Sequence, residues 1–325
     1  MKPIRTSIAL ALAATLGAPI PFLLHAEEGG AGHYLPGAMS SFMDSVPAAE
    51  TFLMRLNAVS YEGTFSRDLT LPFAGLSAGG VDAQSFASGL TMLWRPPLDA
   101  GDRWSYAMSA TVPWVWMDVS ANIDATLPGG LPITLRRSDS VDGLGDIVLM
   151  PLMLNYKFSD DFSANFRLGI YAPTGDYEVG RLANPGKNYW TYEPTFALMY
   201  LGKKNGFEAS LFTGMDFNTE NEDTNYRTGS QLHVDGTVAQ HFPLAGGLAG
   251  VGINAYWYEQ VTGDGGSGAT LGDFKGRTAG LGPVLSYASK IGGHDVIAEL
   301  KWLHEMETRR RLEGDYVWLK VIYKF

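Results

Sequence analysis

The sequence contains no cysteine and no long apolar run beyond its first residues. The absence of cysteine excludes thiol chemistry, cysteine-ligated metals and a disulfide scaffold. No later stretch reaches the roughly 18 apolar residues that a membrane-spanning helix requires. Walker and HExxH patterns are absent, and no glycine-rich stretch opens a helix after a strand, which excludes a Rossmann dinucleotide site. We therefore predict no catalytic residue, no cofactor site and no metal site, and expect that the protein is not an enzyme.

Positive charge is also scarce. The chain has 24 Lys and Arg against 34 Asp and Glu, a formal net charge of −10. Since proteins bind nucleic acid through cations on phosphate, no nucleic-acid partner is expected. His233 and His241 lie on one predicted strand, too far apart to share a metal ion. Weak Ca²⁺ binding by Asp264 and Asp273, in a glycine-rich loop, is the alternative that stays open.

The first 26 residues have the pattern of a secretory signal peptide. Lys2 and Arg5 precede an apolar run from Ile8 to Leu16, which Gly17 and two prolines interrupt soon afterwards. A charged start, a short apolar middle and a small residue at the end are typical of a cleaved export signal. We predict cleavage after Ala26, so the mature protein begins at residue 27.

Period-two alternation of apolar and polar residues is the main feature of the mature chain. Between Phe162 and Ala172 every second residue is apolar, and the same pattern recurs in segments of about 10 to 14 residues. A tilted strand that spans a bilayer needs about 9 to 11 residues, whereas soluble strands average about 5 or 6. Aromatic residues, 12% of the chain, gather at the segment ends as in the girdles of membrane barrels. The pattern predicts an all-β, transmembrane antiparallel β-barrel over residues 51–325, in contact with outer-membrane lipid.

Twelve strands are predicted, joined by connections that alternate in length. The predicted strands are 51–61, 84–94, 104–117, 145–158, 162–173, 189–202, 206–217, 230–242, 247–261, 277–290, 294–306 and 315–325. Most connections after odd-numbered strands are long, including 62–83 and 118–144, and most after even-numbered strands are short. Bacterial outer-membrane barrels have short periplasmic turns and long extracellular loops, so this rhythm predicts a Gram-negative outer-membrane location. The terminal Phe325 resembles the signal that the barrel-insertion machinery reads.

The predicted inward faces mix charge with aromatic surface, which suits weakly polar ligands. Residues 27–50 are too irregular to span a membrane, and we expect them to insert partly into the barrel as a plug through His33, Tyr34 and Pro36. The barrel residues predicted to contact a ligand in the lumen are Arg167, Tyr171, Trp190, Glu193, Phe212, Asn254, Tyr256, Tyr258 and Glu259. For any one inward charge, bracing of the barrel through ion pairs is the alternative role.

Several short motifs occur in a characteristic order. They are EGGAGHYLPG at 28–37, GLGD at 143–146, APTGDY at 172–177, NPGKNYW at 184–190 followed by Glu193-Pro194, YEQVTGDGG at 258–266, and Gly282-Pro283. Together they resemble the SphA-like outer-membrane proteins of the "meta-pathway of phenol degradation" family. The resemblance covers nearly the whole mature chain. It implies a transporter-like barrel associated with the catabolism of aromatic or other hydrophobic compounds. We expect the motif glycines, such as Gly145 and Gly175, to set turns or close backbone approaches.

Three hypotheses for function follow. The first is a passive outer-membrane channel that takes up small hydrophobic or aromatic molecules for catabolism. The second is a structural or adhesive barrel whose long loops, especially 118–144, contact partners. The third is a hydrolase at the barrel rim, which would need a Ser, His and acid set. The sequence leaves the substrate and the oligomeric state open.

Overall fold

The computed structural model describes residues 31–65, 70–98, 101–126, 131–270 and 275–325. The predicted signal peptide and Asp273 lie outside these described residues. No helix in the described ranges is long and apolar enough to cross a membrane. The strands are β1 Thr51–Thr64, β2 Thr70–Phe73, β3 Leu76–Arg95, β4 Trp104–Thr126, β5 Pro132–Leu144, β6 Ile147–Lys157, β7 Phe162–Ala172, β8 Thr191–Leu201, β9 Phe207–Asn218, β10 Gln231–Leu244, β11 Gly247–Gln260, β12 Arg277–Ile291, β13 His294–Arg309 and β14 Glu313–Lys324.

These strands form one closed antiparallel barrel. Two pairs of strands, β1–β2 and β5–β6, each follow one another along a single position of the barrel, here called a stave, so the fourteen strands make twelve staves. β2 pairs with the beginning of β3 and continues β1, and β5 pairs with the far half of β4 and continues β6. Each remaining strand pairs with its sequence neighbour, and β1 pairs with β14 from Leu53↔Lys324 to Thr64↔Glu313. The prediction of a twelve-stranded barrel is confirmed. Closure gives the first and last strands a partner on both edges, as a lipid environment requires. Among the described residues, β2 and β5 each pair with one strand only, β3 and β4 respectively.

The outer surface is an apolar belt. Outward side chains at mid-strand are large and exposed, among them Val238, Ile253 and Leu285, whose exposed fractions are 55, 59 and 50%. A soluble protein rarely exposes a continuous apolar surface of this extent. Aromatic rings form contacts around the end that carries the short turns, as in Phe52–Phe325 and Trp104–Tyr156. The outer surface is therefore the one that contacts lipid.

Two segments predicted as loops are strands. Most of 62–83 and of 118–144 extends β1, β3, β4 and the β5–β6 stave beyond the apolar belt. The outward face of β4 changes from Trp114 and Trp116 to Asp118, while Val119 and Ala121 on the inward face are buried. Polarity thus inverts where the strand leaves the lipid, because water now lies on the outer side. The apolar-outward pattern of the belt does not continue here, which is why the sequence interpretation ended these strands early.

The two ends of the barrel differ. At one end, here called the short-turn end, tight connections such as Ser159 to Asp161 and Ala245-Gly246 join the strands. The opposite, long-loop end carries connections 173–190, 219–230 and 261–276 and the extended β3–β4–β5 strands. An exception at this end is the tight link between β13 and β14. Both β1 and β14 meet the short-turn end, at Thr51 and Lys324.

A charged substitution on the lipid face tests this assignment. Ile253→Arg places a guanidinium midway along β11, where a cation costs about 2–4 kcal/mol in membrane barrels, so the free energy of unfolding should fall by about that amount. Gln84→Arg, on the outward face of β3 beyond the belt, should cost less than about 1 kcal/mol. Denaturant titrations of the protein folded in lipid vesicles measure both. An equal loss for the two variants would contradict the lipid-facing position of Ile253.

Candidate functional site

Charge is distributed unevenly around the lumen. Most of the buried charged side chains of the described wall lie on β7 to β10, β13 and β14: Arg167, Glu193, Glu208, Asp216, His233, Asp235, His241, Glu299, Lys301, Glu305 and Lys320. Asp146, directly before β6, and Arg311, between β13 and β14, are buried as well. The facing wall of β1, β3, β4 and β6 presents mainly small or apolar residues, such as Ala83, Ala87 and Val115. The lumen therefore has a polar side and an apolar side.

Residues 31–50 run through the lumen along its polar side, and we call them the N-terminal segment. At the long-loop end, His33 forms hydrogen bonds with Asp146 Oδ2 at 2.9 Å and Thr191 Oγ1 at 2.7 Å. The hydroxyl of the next residue, Tyr34, donates to Asp235 Oδ2 at 2.9 Å. The Trp318 indole N–H donates to the carbonyl oxygen of Pro36 at 2.8 Å. Nearly half of the residues in the segment are buried.

Two lysines bind the middle of the segment. Lys301 Nζ donates to the carbonyl oxygen of Gly37 at 2.8 Å and to Ser40 Oγ at 2.6 Å, and Lys320 Nζ donates to the carbonyl oxygen of Ala38 at 2.7 Å. All of these groups lie inside the barrel. Hydrogen bonds from ammonium groups are stronger than neutral ones, so these contacts fix the path of an otherwise irregular backbone.

Asp44 is the centre of an ion-pair network near the short-turn end. Its carboxylate lies 2.8 Å from Arg55 Nη1 and 3.0 Å from Lys320 Nζ, and its carbonyl oxygen accepts a hydrogen bond from Arg167. Burial by itself would raise the pKa of Asp44, but Lys320 and Arg55 outweigh it and hold this pKa well below its usual range. Asp44 is therefore charged at neutral pH, and the network joins the segment to three strands.

An apolar cluster, here called the floor, lies near Asp44 toward the short-turn end. Met43 and Val46 of the segment pack there with Leu53, Leu93, Ala107, Met153 and Ile322 of the wall. These wall residues belong to β1, β3, β4, β6 and β14, in the strand halves nearest the short turns, so the floor anchors the segment to that side of the barrel.

A cavity of about 320 Å³ remains between the segment and the apolar wall. Among the described lining residues that belong to β1, β3, β4 and β6, Arg55 is the single charged one. Aromatic rings form another part of the lining: Tyr61, Tyr171, Tyr177, Tyr189, Tyr316 and Trp318. Charged residues outside these four strands also line the cavity: Asp146, Arg181, Lys187 and Arg311. Small residues on β3 and aromatic rings opposite them give a space that suits a flat, weakly polar molecule.

Three of the quoted motifs meet at the mouth of this cavity. Asp146 of GLGD accepts hydrogen bonds from the backbone N–H groups of Gly175, at 2.9 Å, and Lys187, at 2.7 Å, besides its contact with His33. Burial would raise the pKa of Asp146, but the bonds from His33 and these two N–H groups hold it below its ordinary value. Burial lowers the pKa of His33. The motifs thus build a carboxylate site that receives the start of the segment.

The motif glycines allow close backbone approach. A Cβ at Gly175 would lie 2.6 Å from Gly186 Cα, and one at Gly282 would lie 1.8 Å from the carbonyl oxygen of Trp302. No real Cβ tolerates such distances, so the expectation of close approaches at these positions is confirmed.

The residues predicted to contact a ligand fall into three groups. Tyr171 lines the cavity, and its hydroxyl donates to Glu193 at 2.6 Å. Six others are buried on the polar side against the segment or against each other: Arg167, Glu193, Phe212, Asn254, Tyr256 and Tyr258. Of the predicted plug residues, His33 lines the cavity, Tyr34 stacks on His233 with ring centroids 4.1 Å apart, and Pro36 accepts the bond from Trp318.

Two of the predicted contacts are wrong. Trp190, 41% exposed, shares the outward side of Tyr192 and Phe196. Glu259 alternates with Tyr258 and follows Trp257 by two, so it lies on the outward face at the end of β11, beside Lys275 and Arg277. Successive residues of a strand face lipid and lumen in turn, and Trp257 faces lipid. The alternation in the sequence therefore already assigns Glu259, two residues later, to the outward face.

The sequence interpretation did not identify the apolar wall of the lumen formed by β1, β3, β4 and β6. Ala83, Ser85, Ala87 and Gly89 are the inward residues of β3, and they leave the space that the cavity occupies. Their small size every second position is a signal in the sequence, but it gains meaning only once the N-terminal segment is known to take the opposite side.

Solved structures share this architecture. The chain aligns with an outer membrane channel from Pseudomonas putida F1 over 90% of its length and 100% of that chain, at 15% identity and a TM-score of 0.62. It aligns with the β domain of the Bordetella autotransporter BrkA over 85% and 100%, at 12% identity and a TM-score of 0.46. It aligns with a FadL homologue of Pseudomonas aeruginosa over 84% of its own length and 89% of that chain, at 8% identity and a TM-score of 0.39. The first similarity shows the fold. The other two are too weak to support a structural conclusion.

Membership of a family rests on the sequence itself. No curated protein matches the chain. The family described as "Putative MetA-pathway of phenol degradation" matches residues 64–321, which include the strands from β2 to most of β14. The chain therefore belongs to this family of outer-membrane β-barrels.

Proposed function

We propose that the barrel is a passive channel for small hydrophobic or aromatic compounds. The cavity between the N-terminal segment and the apolar wall carries this proposal. The part of its lining that β1, β3, β4 and β6 form combines small aliphatic residues with a single charge, and tyrosine rings lie elsewhere around the cavity; such surfaces favour weakly polar ligands. The family and the channel from Pseudomonas putida F1 with the same fold support the proposal.

Passage to the short-turn side requires a change in the N-terminal segment. Met43 and Val46 pack against the wall at that end, and in this proposal they and their neighbours separate the cavity from it. We propose that the segment acts as a plug, and that partial release of residues 42–46 opens the path. The Asp44 network opposes this release, because removing one partner of a buried ion pair costs about 3–5 kcal/mol.

The cellular setting is part of the same proposal. The protein would be exported with residues 1–26 removed, inserted by the barrel-assembly machinery through its terminal strand, and oriented with the long-loop end outside. It would act without a cofactor and without catalysis. The adhesive and hydrolase hypotheses are tested separately, by deletion of the β4–β5 hairpin tip and by ester turnover of the purified protein.

Filling the cavity should block uptake. Ala87→Trp places an indole in the space between β3 and the segment, and uptake of aromatic compounds into proteoliposomes should fall to near the protein-free rate. The matched control Ala110→Trp puts the same indole on the lipid face of β4 and should leave uptake unchanged. Full uptake through Ala87→Trp would show that this cavity is not the path.

Weakening the plug should increase permeability. Asp44→Asn removes the charge that Arg55 and Lys320 share, so the segment should release more often and the conductance in planar bilayers should rise. The control Asp160→Asn breaks the exposed pair with Lys157 at a short turn and should leave conductance at the wild-type level. A wild-type conductance for Asp44→Asn would argue against the segment as the barrier.

A further inference from the structure

Three possible metal ligands meet on the polar side of the lumen. Glu193 of β8, Asp216 of β9 and His233 of β10 each have at most 2% of their surface exposed. Each offers one ligand atom, and these atoms lie within 4.8 Å of one another. They belong to three neighbouring strands, near the long-loop end, and the proposed transport path along the apolar wall does not use them.

The imidazole of His233 points at both carboxylates without forming a hydrogen bond. Its Nε2 lies 3.5 Å from Glu193 Oε1 and 3.8 Å from Asp216 Oδ1, and neither ring nitrogen has a hydrogen-bond partner. These distances exceed those of ordinary hydrogen bonds. They are close to the spacing of about 3.4 Å between two ligand atoms that bind one zinc ion tetrahedrally at about 2.0–2.2 Å.

Gly214 makes this arrangement sterically possible. It lies on β9 between Thr195 of β8 and His233 of β10, with which it pairs. A Cβ at this position would lie 2.5 Å from both Cε1 and Nε2 of His233. The absence of a side chain at Gly214 therefore lets the imidazole extend across β9 toward Glu193.

Neighbouring groups hold the ligands in place. Glu193 Oε2 accepts a hydrogen bond from the Tyr171 hydroxyl, and Glu193 Oε1 accepts one from Thr195 at 2.9 Å. Asp235 Oδ2 lies 3.5 Å from Nδ1 of His233, and Tyr34 of the N-terminal segment stacks on the imidazole. Metal-bound histidines commonly have a carboxylate at the second ring nitrogen, which orients the ring.

We propose that Glu193, Asp216 and His233 bind a divalent transition-metal ion of the Zn²⁺ class. One imidazole and two carboxylates are ligands that such ions accept, and water would complete the coordination. The ion would join β8, β9 and β10 directly beneath Tyr34. This site goes beyond the proposed channel function and does not depend on it.

Binding of zinc to the purified full-length barrel tests the proposal. The protein, in detergent and without an affinity tag, is treated with a chelator, exchanged into metal-free buffer and titrated with Zn²⁺ in a calorimeter. We expect one ion per chain, and affinity weakened by roughly 10-fold or more in His233→Gln, since even residues beyond the ligands alter affinity by this factor. The matched control is His241→Gln: His241 is buried on the same strand and bonded to Glu208 at 2.7 Å, outside the three-ligand cluster, and the variant should bind like wild type.

Two further measurements distinguish a loss of zinc binding from a failure of the variant to fold. The heat-dependent shift of the barrel in gel electrophoresis checks that each variant is folded. If His233→Gln does not fold, Co²⁺ added to the wild type should give visible absorption bands that Zn²⁺ abolishes, and Asp216→Asn should lose them. The proposal is overturned if the wild type binds no Zn²⁺ stoichiometrically, if folded His233→Gln binds as well as wild type, if His241→Gln loses binding equally, or if Co²⁺ gives no such bands.

Discussion

Pairing between the first and last strands is the constraint on which the rest of the structure depends. An unpaired backbone amide in hydrocarbon costs several kcal/mol, so β1 and β14 must join along their length, from Leu53↔Lys324 to Thr64↔Glu313. Once the ring is closed, alternation assigns every second side chain to lipid and the others to the lumen. The inward residues of twelve staves are then confined to one narrow space, where their charges must find partners.

The N-terminal segment supplies those partners mainly on one side, and the exceptions are Arg55 of β1 and Asp146, which directly precedes β6. Lys301 and Lys320 bind its carbonyl oxygens, Asp235 binds Tyr34 and Gly37, and Asp44 pairs with Arg55. The wall formed by β1, β3, β4 and β6 has almost no charges for the segment to satisfy. The segment therefore lies against the polar side, and the empty space faces the apolar side. In this way the distribution of charge around the barrel determines where the cavity lies.

Sequence alternation predicted the barrel because lipid enforces it at positions such as Val251, Ile253 and Ala255. It failed beyond Trp116, where water replaces lipid and the outward residue becomes Asp118, so the extended hairpins were interpreted as loops. The site was harder to predict. His33 meets Asp146 and Thr191, residues that are 113 and 158 positions away, and no local pattern reports such contacts. Trp190 was predicted to contact a ligand in the lumen, although an aromatic residue at a strand end faces lipid as readily as the lumen.

The central claim is that the apolar side of the lumen receives the transported molecule. The absence of native cysteine allows a direct measurement: the rate at which a water-soluble maleimide modifies a single thiol introduced by Ala87→Cys, in outer membranes with and without a small aromatic compound. The thiol should react through the cavity, and the aromatic compound should slow the reaction in proportion to its occupancy. A thiol at position 87 that reacts at the same rate at saturating concentrations of aromatic compounds would contradict the account.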